Sequence, residues 1–236
     1  MNILGLSVAT TEHHAAALLC DGQVVAAAEE ERFNRVKHYG ANAGVRPDSN
    51  LISDGSVGLH EVICQGAVSF VLDSAGLTFD EVDRVAINGI PFRFRHSYSL
   101  RDRLVAPQVI EAGRFVYVPH HLCHAASAYR LSGALEANVL TVDGRGERET
   151  AAFFTADTER NLRRRWDILV GDGHSFGGCY ETASRALGFG PHGQGALMAL
   201  AGTGSPELDL SEWIRFESPD DYALDERGLE RRLRES

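Results

Sequence analysis

The chain is predicted to fold as an α/β protein on three observations. Apolar strand-like runs alternate with helical segments, the first two runs return on a tight hairpin turn, and a strand, turn, strand unit recurs in the second half.

Residues 2–8 are apolar and lead through a polar turn, Thr10, Thr11 and Glu12, into a second apolar run at 15–20. Asp21-Gly22 has the residue types of a two-residue hairpin turn, so 23–28 comes back as a third strand. A charged stretch at 29–38 is followed by a Gly, Asn and Pro-containing loop at 40–58, long enough to be expected to face a substrate or move. Between 59 and 75 the positions Val62, Ile63, Gly66, Phe70, Val71 and Ser74 fall at helical spacing, and Gly76 is the cap. Strands are expected at 84–88 and 115–118. Pro119 then opens a helix over 120–131, ended by Gly133.

The second half echoes the first: Asn138-Val139-Leu140 opens a strand as Asn2-Ile3-Leu4 does, and 150–154 matches 15–19. Two related halves follow, divided as 1–135 and 136–236. In the actin-like ATPase superfamily each half is a ribonuclease-H-like lobe that begins with such a hairpin. That is the architecture expected here, with an incomplete second lobe.

Composition narrows the function classes. Of 236 residues, 44% are apolar and 24% charged, the balance of a globular protein that buries a substantial core. No apolar run approaches the roughly 18 residues of a membrane span, and no secretory signal opens the chain, so a cytoplasmic protein with no membrane partner is expected. Cys20, Cys64, Cys123 and Cys179 form no C-x-x-C pair, which predicts reduced, mostly buried thiols. A net charge of −10 argues against nucleic acid as a partner. The basic clusters at 163–165 and 227–234 lie beside acidic residues and are expected on solvated faces.

Three places carry candidate chemistry. His120 and His124 stand four apart at the start of a predicted helix, which puts both imidazoles on one face and within reach of one cation. Taken alone, such a pair is as readily two polar surface residues, and His121 leaves the register open. Asp143 ends the apolar run 139–142 and begins Asp143-Gly144-Arg145-Gly146-Glu147, a carboxylate at a strand end beside a glycine turn. It is either an ordinary Asp-Gly turn or the third member of a His, His, carboxylate set with open positions, the pattern of catalytic metals. His13 and His14 fall in the first turn, where a histidine can serve as general base toward a hydroxyl or be an exposed polar turn residue.

Longer motifs tie these places together. Gly5-Leu6-Ser7, His13-His14-Ala15-Ala16-Ala17-Leu18-Leu19-Cys20-Asp21-Gly22 and Ala27-Ala28-Glu29-Glu30-Glu31-Arg32-Phe33-Asn34-Arg35-Val36-Lys37-His38 come first. They are followed by His120-His121-Leu122-Cys123-His124-Ala125-Ala126-Ser127-Ala128 and Val142-Asp143-Gly144-Arg145-Gly146-Glu147. Together they resemble the opening of O-carbamoyltransferases of the nodulation and antibiotic-tailoring type. Leu187-Gly188-Phe189 and Leu197-Met198-Ala199-Leu200-Ala201 sit where that family has its glycine-rich, phosphate-side segment.

The resemblance implies an actin-like module, related to threonylcarbamoyl-transfer proteins, that moves a carbamoyl group from carbamoyl adenylate onto a hydroxyl of a small natural product. A separate carboxy-terminal domain would make the adenylate from carbamoyl phosphate and ATP. By motif position His120, His124 and Asp143 match the family's metal ligands, with iron(II) the implied cation, and His13 matches its active-site histidine. His14 stands where the family usually has an acid. Gly144 and Gly146 are expected to let backbone N–H groups approach the adenylate phosphate.

Gln194-Gly195-Ala196 replaces the family's Glu-Gly-Lys, and Thr203-Gly204 its Tyr-Gly. The chain stops at Ser236, before the parts of that family that hold adenosine and form the adenylate. A partner subunit or second copy is therefore expected to complete the site, docking on Trp213, Ile214, Phe216, Tyr222, Leu224, Leu229 and Leu233, residues that otherwise pack on the chain's own core. The rival expectation is a regulatory or interaction protein that keeps the fold without the chemistry.

Overall fold

The computed structural model describes residues 1–8, 13–40, 64–89, 110–169, 175–190, 193–205, 209–218 and 221–235. Two compact units emerge, Met1–Cys123 and His124–Ser236.

The first unit is built on a six-stranded sheet. β1 (Asn2–Ser7), β2 (Ala15–Cys20) and β3 (Gln23–Glu29) form an antiparallel meander with Asn2 opposite Cys20 and Ala15 opposite Glu29. Asp21 and Gly22 turn the chain at φ 50° and 80°, both in the left-handed region that a type I′ hairpin requires and that Asp-Gly supplies at little cost. β4 (Arg84–Asn88) pairs parallel to β1, β6 (Phe115–Val118) parallel to β4, and β5 (Ile110–Ala112) closes the edge, giving the order β3-β2-β1-β4-β6-β5. A meander extended from its first strand by parallel neighbours is the ribonuclease-H-like arrangement expected of the first lobe.

Period-two alternation decides which side chains enter the core. Leu4 and Leu6 on β1, Ala16 and Leu18 on β2, Val85 and Ile87 on β4 and Tyr117 on β6 are all buried. Each fully buried Leu or Ile contributes about 1.5–3 kcal/mol of apolar transfer. Among the described helices, α1 (Glu31–Asn34) is a single turn and α2 (Gln65–Asp73) covers this core through Ala67, Val68, Val71 and Leu72. The helix expected over 59–75 is thus Gln65–Asp73 within the described residues; 59–63 and nearly all of the 40–58 loop lie outside them. Gly76 takes the cap conformation at φ 65°. At the other end of α2 the cap comes from far away in sequence. Glu30, itself buried, accepts from Ala67 N at 2.8 Å and Gly66 N at 3.3 Å, so one member of the charged stretch at 29–38 is an interior cap.

The second unit repeats the theme. α3 (His120–Ser132) runs into Gly133, at φ 74°, and β7 (Ala137–Val142), β8 (Glu149–Ala156) and β9 (Leu162–Leu169) form another antiparallel meander. After it come α4 (Phe176–Ala186), α5 (Gln194–Ala201), the hairpin β10 (Ile214–Ser218) and β11 (Asp221–Leu224), and α6 (Glu226–Arg234). The internal echo therefore corresponds to two meanders of the same kind.

One expectation needs correction here, and one alternative left open by the sequence is decided for three residues. Of the basic run 163–165 only Arg163 and Arg165 face solvent. Strand alternation turns Arg164 inward, where its side chain is 9% exposed and pairs with Glu149 at 2.8 Å and Asp167 at 2.9 Å. The open alternative concerns the apolar residues near the carboxy terminus. Trp213, Tyr222 and Leu229 are buried by this unit's own side chains, Tyr222 with Ala151, Ile168 and Phe176, and Trp213 with Cys179 and Leu229. These three take the own-core packing that the sequence left open beside a partner interface.

All four cysteines are free thiols. Burial, reinforced by the Glu30 carboxylate, pushes Cys64 up to about 12; burial, with Glu226 nearby, pushes Cys179 up to about 11. Both are thereby held as inert thiols. Among the described residues no helix is long and apolar enough to cross a membrane.

Candidate active site

Helix α3 settles the ambiguity among its histidines. His121, Ala125 and Tyr129 recur at i, i+4 and i+8 and are all buried, so they form the inward stripe. His120 and His124 lie on the neighbouring face, one turn apart. The boundary between the two units falls inside this helix, so one continuous element carries both imidazoles.

Asp143 reaches the same place from the end of β7. Its Oδ2 lies 3.3 Å from His124 Nε2, with the two side chains 34% and 52% exposed. His120, His124 and Asp143 each offer one ligand atom, all within 4.8 Å of one another. Two imidazoles one helical turn apart and a carboxylate on a strand end thus converge as the sequence spacing predicts.

The Asp143 turn is held from several sides. Asp143 N donates to Thr150 O at 2.9 Å across the β7–β8 pair, and Gly144 N donates to Asp143 Oδ1 at 2.6 Å. Ser175 Oγ donates to Gly144 O at 2.9 Å and accepts from Gly178 N at 2.9 Å, so one hydroxyl caps α4 and clamps the turn. Gly177 permits this approach: a Cβ there would fall onto Gly144 Cα at 2.5 Å. Ser175 and Gly177 were not singled out from sequence. Their signal was a Ser followed by Gly-Gly at a helix start, legible as a cap but silent about what the cap would touch.

Gly144 and Gly146, expected as phosphate-binding donors, use their N–H groups inside the turn. Gly144 N serves the Asp143 carboxylate, and Gly146 N donates to Glu149 O at 2.7 Å. An incoming phosphate has to compete with both.

In the first unit the two turn histidines part company. His14 is buried, its N–H donating to Tyr39 O and its carbonyl accepting from Glu30 N, both at 2.9 Å. Its ring meets Tyr39 edge-on. His13 is exposed and takes a left-handed φ of 59°. The reading of both as exposed turn residues therefore holds for His13 alone; the backbone bridge to Tyr39 and Glu30 draws His14 inside.

Fold and geometry define a mixed α/β protein in which helix α3 and the end of β7 bring a His, His, carboxylate set together. Residues 104–217 match the family described as Carbamoyltransferase N-terminus. The nodulation protein NolNO of Sinorhizobium fredii is 29% identical over 220 residues, covering 84% of this chain and 29% of the relative. An uncharacterized protein, sll1178, of Synechocystis is 29% identical over 245 residues, covering 89% of this chain and 36% of the relative. The chain thus spans about a third of the length of these curated relatives. Among solved structures, the activator of the 2-hydroxyisocaproyl-CoA dehydratase from Clostridium difficile with bound ADPNP is similar with a TM-score of 0.46 at 13% identity, over 89% of this chain and 60% of that one. YeaZ from Pseudomonas aeruginosa has a TM-score of 0.37 at 19% identity, over 71% and 66%. Residues 104–217 thus resemble the N-terminal part of carbamoyltransferases.

Proposed function

We propose that this chain is the metal-bearing, acceptor-handling part of a carbamoyltransferase that moves a carbamoyl group from carbamoyl adenylate to a hydroxyl of a small natural product. The observation that supports it most is the convergence of His120, His124 and Asp143 within the segment matched to that family. The donor set fits a divalent transition metal: nitrogen and carboxylate ligands suit iron(II) or zinc, and three protein ligands leave positions open. Such a cation supplies Lewis-acid polarisation of a phosphate or acyl oxygen.

The chain's own residues do the rest. His120 and His124, fixed on one helix, hold the ligand geometry. Ser175 and Gly177 keep Asp143 in register with them. His13, exposed on a hairpin turn, takes the proton from the attacking hydroxyl as general base. ATP chemistry and the adenylating step belong to a further domain or a partner subunit. A regulatory reading is favoured by one feature, the internal use of the Gly144 and Gly146 N–H groups together with Gln194 and Ala196 in place of charged residues.

The deciding experiment pairs metal analysis of the purified chain with a transfer assay using synthetic carbamoyl adenylate and an amino-sugar or polyketide alcohol, with and without the remainder of a full-length relative. Loss of one equivalent of metal, together with loss of transfer, in the His120→Ala, His124→Ala double variant supports the proposal. Unchanged metal stoichiometry in that variant removes the metal site. Transfer that survives His13→Asn at full rate removes the base.

A further inference from the structure

The first unit holds a second set of metal-ligating side chains that no motif spacing reveals. His13 and His38 are 25 residues apart, with Glu31 between them. The β2–β3 hairpin and the short helix α1 fold this stretch back on itself. His13, Glu31 and His38 then each offer one ligand atom, a ring nitrogen or a carboxylate oxygen, and these atoms lie within 4.8 Å of one another.

The geometry within the set is specific. His38 Nδ1 lies 3.4 Å from His13 Nε2, the rings meeting edge-on with centroids 4.9 Å apart. That separation is long for an N–H···N hydrogen bond. It agrees with the spacing of about 3.3 Å between two ligands of a tetrahedral cation bound at about 2.0–2.1 Å from each nitrogen. Both histidines stand in the left-handed region, at φ 59° and 56°, a conformation uncommon outside glycine and concentrated at functional sites. Glu31 is fixed at the mouth of the set because its Oε2 accepts from His38 N at 2.8 Å. That backbone hydrogen bond, opposed by partial burial and aided by Arg32, keeps its carboxyl below the usual range and so ionised. The Arg32 guanidinium lies beside it, 3.8 Å from Glu31 Oε1.

We propose that His13, Glu31 and His38 form a second divalent-cation site, selective for zinc-class ions and open on its solvent side. Two imidazole nitrogens select against magnesium and calcium, which take oxygen ligands. Three protein ligands with an exposed face leave a position for water or a substrate atom. The inference rests on this geometry and not on the carbamoyl reading. The two make opposite demands on one atom, since a coordinated His13 Nε2 is closed to protons. Loading this site opposes the general-base role.

The test is titration of the full chain with Co²⁺, followed by Zn²⁺ added to the Co²⁺-loaded protein, in the His120→Ala, His124→Ala background, which removes the other set. Visible absorption of bound Co²⁺ is the readout. The expected result is one equivalent of Co²⁺ displaced by Zn²⁺, with affinity lowered at least tenfold by His38→Asn and by Glu31→Gln. Asparagine tolerates the left-handed backbone at position 38, and circular dichroism reports whether each variant folds. If His38→Asn does not fold, Glu31→Gln carries the test. Absence of Co²⁺ absorption in the background protein, or affinity unchanged in a folded variant, overturns the proposal. Neither outcome is read through transfer activity, so failure here is distinguishable from failure of the carbamoyl reading.

Discussion

Arg164 donates to Glu149 Oε1 at 2.8 Å with the two side chains only 9% and 6% exposed, an ion pair lodged between neighbouring strands β8 and β9. Burial raises the Glu149 carboxyl. The Arg164 hydrogen bond and charge, with the backbone N–H groups of Glu149 and Arg148, outweigh it and leave the carboxyl below its ordinary 4.5. The native state therefore takes up this proton less readily than the unfolded chain. The pair's stabilisation is complete above the unfolded value and is lost as pH falls through the folded one. Denaturant unfolding at a series of pH values is expected to show stability falling below about pH 4.5, with a shallower fall in Glu149→Gln. At neutral pH that variant should be less stable by about 2–3 kcal/mol, since Arg164 loses one buried partner and keeps Asp167. An acid limb as steep as in the parent protein would place the responsible carboxylate elsewhere.

Ser175→Ala tests whether a helix cap also positions a metal ligand. Loss of the cap on α4 is expected to cost about 1 kcal/mol of stability. If the hydroxyl also steadies the Asp143 turn, metal affinity at the proposed His120, His124 and Asp143 site should fall about 10-fold or more while the stoichiometry of that site is unchanged, the pattern of an outer-shell partner. Ser175→Thr should restore both. Lowered stability with affinity intact would restrict Ser175 to capping.

Two glycine replacements are expected to move stability in opposite directions. In Gly177→Ala the new Cβ meets the Gly144 backbone, and the resulting displacement of helix or turn should cost about 1–3 kcal/mol and weaken metal binding. Gly195, early in α5, has nothing within 4 Å of an added Cβ. Gly195→Ala should be neutral or stabilising by up to about 1 kcal/mol through helix propensity. Thermal denaturation of the pair is sufficient; a Gly177→Ala variant as stable as the parent protein would mean that the turn does not approach Gly177 this closely.

Much of the fold was legible from local pattern. Strands at 15–20, 84–88 and 115–118 coincide with β2, β4 and β6, because alternation, turn residues and Gly or Pro punctuation act over a few neighbours. His120 and His124 were legible for the same reason, since a helix alone puts residues four apart on one face. Asp143 as their companion was legible as a strand end beside a glycine turn. What stayed hidden needed contacts between residues distant in sequence. His14 and His13 are identical neighbours, yet hydrogen bonds to Tyr39 and Glu30 bury one and leave the other exposed. Arg164 reads as surface in a basic run until strand alternation sets it against Glu149. Glu30 reads as surface until α2 arrives with unpaired N–H groups for it to cap. Ser175 reaches the Asp143 turn, and His38 reaches His13, only after the chain has folded back. Local sequence specifies which elements form and which face each presents, while the partners of a buried charge or a ligand set are chosen when distant elements pack and every desolvated polar group must find one.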